Sequence, residues 1–461
     1  MNIILVTADT LKAKTLEIEK NNIPNIEFLR KNGFEFRNHF VSSPWTGASF
    51  ASFFTGAYPK QHGFILNCPE IKNFSEPPHE EEPDGVSFKS FNPDKENHFT
   101  KTLKKTHYCI GIQGNSVCHE ERFGRHFHEY KEDFNSRLME KIFRFSRKIR
   151  LFPLLMKIKR IKDNAKAKLF KNKYQETAKL FNKRKANIPV YKTAETLTDR
   201  TIKKIKANKN KDFFLWINFV DMHAPYTDLY NLSSKPEYKK INCNKTELFD
   251  LIYNLKNKLT ETEKKFVEEK YHAKIRLIDS QIGRIIECLK ENSLFEKTSI
   301  IFSSDHGEEF WEHGTKRDDK FFYTRGVSHG HTLYNELIKV PLFIYSSSIS
   351  PKKINKLTSC VNIYNTVLEI AGAEKNPELP PSLIDIALNK KEMDYVIAES
   401  ILFGKERKTV IDKNNFKLIK GTEDNKTELF DLNNDPKEKN DIAEQNPKKT
   451  KEMLDRLFFY I

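Results

Sequence analysis

Apolar residues along this chain gather into short unbroken runs, separated by longer polar stretches. Asn2-Ile3-Ile4-Leu5-Val6-Thr7, Phe213-Phe214-Leu215-Trp216-Ile217-Asn218-Phe219, Thr298-Ser299-Ile300-Ile301-Phe302-Ser303 and Val340-Pro341-Leu342-Phe343-Ile344-Tyr345 are such runs. Runs of this length predict strands buried on both faces of a sheet. Tyr108-Cys109-Ile110-Gly111-Ile112 predicts another, and Phe34 to Val41 alternates like a strand with one polar face. Helical spacing lies between them. One helix starts near Pro24, a residue suited to a first turn. A second, rich in small residues, covers Thr46 to Phe54, and Glu261 to Glu291 reads as a long amphipathic helix feeding the Ile300 strand. Short strands at Phe416–Ile419 and Glu428–Leu432 and a closing helix predict a smaller α+β module. The organisation is therefore an α/β body over residues 1–345 and a C-terminal subdomain with a small antiparallel sheet over 346–461.

Two stretches interrupt this pattern. Residues Pro69 to Asp94 are acidic and Pro-rich, which predicts a surface loop. Residues Asp133 to Ala186 are strongly basic, with Leu138, Ile142, Phe145, Ile149, Phe152, Leu155 and Ile158 at helical spacing and Pro153 breaking any single helix. This insertion, about 133–186, packs as a solvated helical element or lies on an anionic membrane surface.

The chain has 461 residues, enough for one large core and a second module. Its net charge of +16 and pI near 9.2 favour anionic neighbours or reflect a Lys-rich composition. No nucleic-acid motif accompanies the charge. The cysteines Cys68, Cys109, Cys118, Cys243, Cys288 and Cys360 are scattered, which excludes a disulfide framework or structural zinc. No run approaches the ~18 apolar residues of a membrane span, and the N-terminal run leads straight into Asp9 as a first strand rather than a leader. A cytoplasmic protein is expected, with membrane association as the alternative.

The candidate chemistry sits where the strands end. In an open α/β sheet, ligands bind outside the carboxyl ends of the strands. The first strand runs into Ala8-Asp9-Thr10, and the Ile300 strand runs into Ser304-Asp305-His306-Gly307-Glu308. Two carboxylates and an imidazole delivered there make a divalent-metal site. Thr46, in Ser43-Pro44-Trp45-Thr46-Gly47-Ala48-Ser49-Phe50, begins a helix and reads as an N-cap or as a metal-activated nucleophile. His223 follows the Phe213 strand, and His329 and His331 flank Gly330; imidazoles there suit anion binding or leaving-group protonation. Asp221, Glu312 and His313 are further candidates.

Taken in order, these segments resemble the sulfatase family of the alkaline-phosphatase superfamily. The resemblance runs from Val6-Thr7-Ala8-Asp9-Thr10-Leu11 through Ser43-Pro44-Trp45-Thr46…Thr55-Gly56-Ala57-Tyr58-Pro59…His62-Gly63. It continues through His223-Ala224-Pro225-Tyr226, Ser304-Asp305-His306-Gly307-Glu308 and Thr332-Leu333-Tyr334-Asn335-Glu336…Val340-Pro341-Leu342. It ends in Lys417-Leu418-Ile419…Glu428-Leu429-Phe430-Asp431-Leu432…Asp435-Pro436. It implies an α/β sandwich around a central mixed sheet flanked by helices, with a small C-terminal α+β subdomain. It also implies one divalent metal on Asp9, Asp305 and His306, with Thr46 as nucleophile and further metal ligand. His223 and His329 fall in segments that contact the transferred or leaving group.

Several positions depart from that family. Thr46 stands where typical sulfatases carry the Cys or Ser converted to formylglycine, and Thr cannot become that aldehyde because its β-carbon already bears a methyl group. No formylglycine is expected. Thr10 replaces the second Asp of the usual N-terminal pair, and Phe50 stands where an Arg usually follows. Gly114-Asn115-Ser116 lies near the place of the usual Lys-x-His. His306 in the ligand set favours Mn²⁺ or Zn²⁺, with Ca²⁺ as the alternative. The expected activity is metal-dependent hydrolysis of sulfate esters with a Thr nucleophile. The alternatives are a phosphodiesterase or a phosphoglycerol- or phosphoethanolamine-type transferase acting on glycans or lipids, and a non-catalytic protein that binds polyanions or membranes. The expected partner is an anionic ester of a glycan, a lipid or a small aryl alcohol, not nucleic acid.

Overall fold

The apolar runs pair into one eight-stranded sheet. Its order is Lys352–Ser359, Phe34–Phe40, Leu342–Tyr345, Thr298–Ser303, Asn2–Ala8, Phe213–Phe219, Tyr108–Gln113, Glu129–Glu132. Only Leu342–Tyr345 runs against its neighbours; the other pairings are parallel. The carboxyl ends of the first, second, fifth and seventh-position strands and their parallel partners thus open on one edge of the sheet. The computed structural model describes residues 1–67, 87–90, 97–115, 117–118, 120–132, 193–224, 226, 236–238, 260–313 and 327–460. The basic insertion at 133–186 and its membrane-facing reading lie outside the described residues, as does most of the acidic loop at 69–94. Among the described residues no helix is long and apolar enough to cross a membrane.

The central strands are apolar on both sides because both sides are covered. Ile3, Leu5, Phe214 and Trp216 enter one core with Ala48, Phe50, Phe53 and Phe54 of the Thr46–Thr55 helix. Ile4, Val6, Leu215 and Ile217 enter a second core with Val267, Ile275, Ile278 and Ile282 of the Glu261–Glu291 helix. Alternate side chains of a strand point to opposite faces, so one apolar run serves two cores. The long helix starts at Thr260, whose side chain accepts from the Glu263 amide while Glu263 reaches back, a capping box.

A separate four-stranded antiparallel sheet follows, built from Tyr395–Ala398, Arg407–Asp412, Phe416–Gly421 and Thr427–Asp431. Met453 and Leu457 of the Pro447–Tyr460 helix pack on its Val410, Leu418 and Leu429. The architecture is the predicted sandwich with a small C-terminal sheet, and the outer strand Lys352–Ser359 of the large sheet comes from beyond residue 345.

One buried ion pair of the C-terminal part is bonded to Asn335 of the main body. Lys417 Nζ lies 2.6 Å from Glu438 Oε1, both side chains fully buried. Nζ also donates to Asn335 Oδ1 at 3.0 Å, and Glu438 Oε2 accepts from the Asn335 amide at 2.6 Å. Removing one partner of such a pair leaves the other charge buried and unpaired. Lys417→Met is therefore expected to destabilise the fold by about 3–5 kcal/mol, read as a lower Tm; an unchanged Tm would show that Glu438 finds another donor.

Candidate active site

Asp9 and Asp305 leave adjacent parallel strands paired in register, Thr7 beside Ser303. Both carboxylates are fully buried, and each is tied down through one oxygen only. Asp305 Oδ1 accepts the amides of Thr10 at 3.2 Å and His306 at 3.0 Å. Asp9 Oδ2 accepts from Asn115 Nδ2 at 2.5 Å. The other oxygens, Asp9 Oδ1 and Asp305 Oδ2, are buried without a hydrogen-bond partner among the described residues. His306 Nε2 faces them at 3.9 and 3.4 Å. Its ring is oriented by Nδ1, 2.9 Å from the Gly307 carbonyl. A carbonyl only accepts, so Nδ1 carries the proton and Nε2 presents a lone pair.

Asp9 Oδ1, Asp305 Oδ2 and His306 Nε2 thus lie within 4.8 Å of one another. Orphaned buried oxygens beside an imidazole lone pair are the donor set of a divalent cation. The protein's own charges describe the same demand. Burial, and then the nearby charge of Asp305, pushes the Asp9 carboxyl well above its usual range, against the pull of Asn115. Burial lowers the His306 pKa and keeps the ring neutral, the form that binds metals. Two local features hold the cluster. Thr10 has φ +61°, a left-handed conformation uncommon for a β-branched residue. Gly307 is required because an added Cβ would stand 2.0 Å from the Glu336 carbonyl oxygen.

Thr46 completes the centre. The N-cap of its helix is Trp45, with no side-chain capping bond, and Thr46 is the first helical residue. Its hydroxyl therefore does not cap. Oγ1 lies 3.2 Å from His306 Nε2 and 3.4 Å from Asn115 Nδ2. It stands at the positive end of the helix dipole, which favours a developing negative charge. Asp9, Asp305 and His306 are 0% exposed and Thr46 is 5% exposed, so the whole cluster is buried.

Asn115 was not singled out by the sequence as a site residue. It follows the strand Tyr108–Gln113 and is locked in place: its amide donates to Gln113 Oε1 at 2.6 Å, and its Oδ1 accepts from Val117 at 2.9 Å. The only sequence signal was a polar residue just past a buried strand, where the family's Lys-x-His is missing. Asn115→Ala removes the donor to Asp9 and Thr46. Metal affinity or turnover is expected to fall by about 10- to 100-fold, the usual effect of losing such a support, with the fold intact by circular dichroism. Unchanged values for both would remove Asn115 from the site.

His329 and His223 join the same cluster through their rings. The His329 ring centroid is 4.3 Å from that of His306 and 5.1 Å from that of His223. His329 Nδ1 is 3.2 Å from Glu308 Oε1. Burial holds the His329 pKa well below its ordinary value, with His223 adding to the effect. Glu308, also missed by the sequence reading, is pushed up to about 7, chiefly by burial. His331 turns away and meets Glu309 Oε2 at 2.6 Å. Asp221 lies by the start of the Ala194–Ala207 helix, where the Ala194 backbone lowers its pKa against the larger effect of burial.

Glu312 and His313 belong to other contacts. Glu312 pairs with Lys12 Nζ at 2.6 Å. His313 stacks on Tyr334, ring centroids 3.6 Å apart, and meets Glu336 at 3.1 Å. His313, Glu336 and Glu438 have the spacing of a second ligand group, but Lys417 already supplies a cation to Glu438.

The chain is similar to known proteins over its whole length. A family model described as Sulfatase matches residues 1–373, and one described as N-sulphoglucosamine sulphohydrolase, C-terminal, matches residues 326–458. Arylsulfatase K of Xenopus laevis is 24% identical over 500 residues, covering 99% of this chain and 81% of its own. An arylsulfatase of Clostridium perfringens is 24% identical over 510 residues, covering 99% of this chain and 92% of its own. Among solved structures, a phosphonate monoester hydrolase from Silicibacter pomeroyi superposes with a TM-score of 0.66 at 17% identity, covering all of this chain and 94% of that one, which establishes a common fold.

Proposed function

This chain belongs to the sulfatase family, and from that premise we propose that it cleaves sulfate or phosphate esters through a covalent ester on Thr46. Its relatives make it an enzyme acting on such esters. The observation that carries the Thr46 reading is the position of Oγ1. It lies 3.2 Å from His306 Nε2, at a helix N-terminus, in a cluster with two carboxylate oxygens that have no hydrogen-bond partner among the described residues.

Asp9, Asp305 and His306 would hold the divalent cation, with Thr46 Oγ1 as a further ligand. Bound there, the cation lowers the hydroxyl pKa and offsets the charge of the ester oxygens. Mn²⁺ or Zn²⁺ suits a set that includes imidazole better than Ca²⁺ does. Thr46 releases its proton to solvent and attacks sulfur or phosphorus, and the bond to the leaving oxygen breaks. His329 or His223, the imidazoles beside the cluster, protonates that oxygen or holds the transferred group. The Thr ester is then resolved by water attacking at sulfur or phosphorus.

Thr46 itself favours a second reading. A threonine ester cannot leave by collapse to an aldehyde, and the neutral Asn115 contacts Asp9 where the family usually supplies a cation. Both suit phosphodiester hydrolysis or transfer to an acceptor. The test is to offer metal-loaded protein 4-nitrophenyl sulfate, 4-nitrophenyl phosphate and bis(4-nitrophenyl) phosphate, with intact mass spectrometry to trap the adduct. A modified Thr46 with turnover of the sulfate supports the sulfatase reading. A modified Thr46 with turnover of the diester alone supports the second. Turnover with the adduct on another residue would overturn the nucleophile.

A further inference from the structure

A Thr46 ester makes a demand that the metal ligands do not meet. Water must attack it at sulfur or phosphorus, and a neutral water has to lose a proton as it does so. Asp9, Asp305 and His306 are committed to the cation, so that proton needs another acceptor. The imidazoles of His306, His329 and His223 stand in a row, with the His329 centroid 4.3 Å from that of His306 and 5.1 Å from that of His223. Their Nδ1 partners differ. His306 Nδ1 lies 2.9 Å from the Gly307 carbonyl, and His223 Nδ1 lies 2.9 Å from the Ala224 carbonyl. His329 Nδ1 lies 3.2 Å from Oε1 of Glu308, which is buried. A carboxylate only accepts, so His329 carries its proton on Nδ1 and keeps a lone pair on Nε2. A carboxylate behind an imidazole also stabilises the cation formed when Nε2 takes up a proton.

The backbone sets this pair. Glu309–Phe310 and Val327–Ser328 form a two-stranded antiparallel ladder with Ser328 beside Glu309. Glu308 precedes Glu309 and His329 follows Ser328, so the antiparallel register carries one toward the other. Both neighbours of His329 hold positive φ, Ser328 at +130° and Gly330 at +79°. A non-glycine residue in such a conformation is strained, and strain persists where the surroundings over-determine it. The surroundings here include the amides of Leu402 and Phe403, which both donate to the Gly330 carbonyl at 2.8 Å. A Cβ on Gly330 would stand 3.0 Å from Leu402 Cβ. With the main chain fixed on either side of His329, the freedom left is that of its ring, and Glu308 takes it.

We infer that His329 is the general base for the water that resolves the Thr46 ester, and that Glu308 is its positioning residue. The inference rests on the proposed function, because it needs that ester. The water oxygen bonds to sulfur or phosphorus as one of its protons passes to His329 Nε2. The bond to Thr46 Oγ1 breaks, and the imidazolium hands its proton to Oγ1, which restores both residues. His223, with a main-chain carbonyl on Nδ1, is left to serve the leaving oxygen of the first step.

Rapid mixing of the full-length, metal-loaded protein with 4-nitrophenyl sulfate or bis(4-nitrophenyl) phosphate, whichever it turns over, separates the two steps. The first 4-nitrophenol released per protein reads formation of the ester; the steady-state rate and the intact mass after acid quench read its resolution. In His329→Gln the resolution is expected to slow by about 10²- to 10⁴-fold, the worth of a positioned base. The first release should slow far less, so the variant shows a burst and collects as the Thr46 ester. Glu308→Gln, of the same size but without the charge, should show the same burst and the same adduct with a loss of about 10- to 100-fold. Loss of structure alone slows both steps together and collects no adduct, and Tm reports the fold. Equal slowing of both steps in His329→Gln, or wild-type resolution, would overturn the base and leave the proposed function standing. A burst in His329→Gln with wild-type behaviour in Glu308→Gln would remove Glu308 from the pair. Failure of the wild type to form any ester on Thr46 would remove the proposed function, and the base with it.

Discussion

Thr46→Ala is expected to lower turnover by at least about 10³-fold, the scale seen when a covalent nucleophile is removed. The fold should survive the change. Thr46 is not the N-cap of its helix, so no capping bond is lost, and Ala has the better helix propensity. The change removes only a hydroxyl and a methyl group from a buried residue. The stability change should stay within about 1 kcal/mol, and Tm separates a dead enzyme from an unfolded one. Thr46→Ser keeps the oxygen and loses only the methyl, so it should retain turnover to within about tenfold, one methyl's worth of positioning. Wild-type rates from Thr46→Ala would end the nucleophile assignment; equal loss in Thr46→Ser would mean that the methyl, not the oxygen, matters.

Asp305→Asn is expected to empty the metal centre. One carboxylate oxygen of Asp305 is held by the Thr10 and His306 amides, and the other has no hydrogen-bond partner among the described residues. An amide cannot satisfy both demands. With its oxygen toward those amides, it aims an NH₂ at the cation; reversed, it aims the NH₂ at two backbone donors. Either way a formal charge is gone from the ligand set. Metal retained after gel filtration, measured by elemental analysis, should fall from near stoichiometric to near zero. Added Mn²⁺ or Zn²⁺ should raise the Tm of the wild type, since a ligand that binds only the folded state stabilises it. It should leave the variant unmoved. In the metal-free protein the order is different: Asp305 raises the Asp9 pKa, so removing its charge relieves a repulsion. Metal-free Asp305→Asn is thus expected to be no less stable than the metal-free wild type. Stoichiometric metal in the variant would show that Asp305 is not a ligand.

These two residues also mark how far the linear chain can be read. The strands at Asn2–Ala8, Phe213–Phe219 and Thr298–Ser303 were legible because burial on both faces demands unbroken apolar runs, a constraint that acts on each segment alone. The long helix from Glu261 was legible for the same reason, through its periodicity. The clustering of Asp9, Asp305 and His306 was legible because polar residues at the ends of such runs have no packing role to explain them. Thr46 was ambiguous, since a Thr at a helix start is as good a cap as a nucleophile; Trp45 at the cap removes the capping role, and His306 at 3.2 Å supports the proposed one.

What the sequence by itself determined is the set of elements and the residue types at their ends. Tertiary structure decided which of those ends meet. Asp9 and Asp305 meet because their strands pair in parallel, and the single reversed strand Leu342–Tyr345 leaves the strand before Thr46 ending on the same edge. Asn115 came against Asp9 and Thr46 and Glu308 against His329, while His313 and Glu312 met Glu336 and Lys12 instead. Leu402 and Phe403 came to lie against Gly330 through backbone bonds that carry no sequence code. The physical reason is the range of the interactions. Propensity and burial act over a few residues and leave a periodic trace, whereas a hydrogen bond between residues 115 and 9, or 402 and 330, exists only once the sheet has set both ends in place.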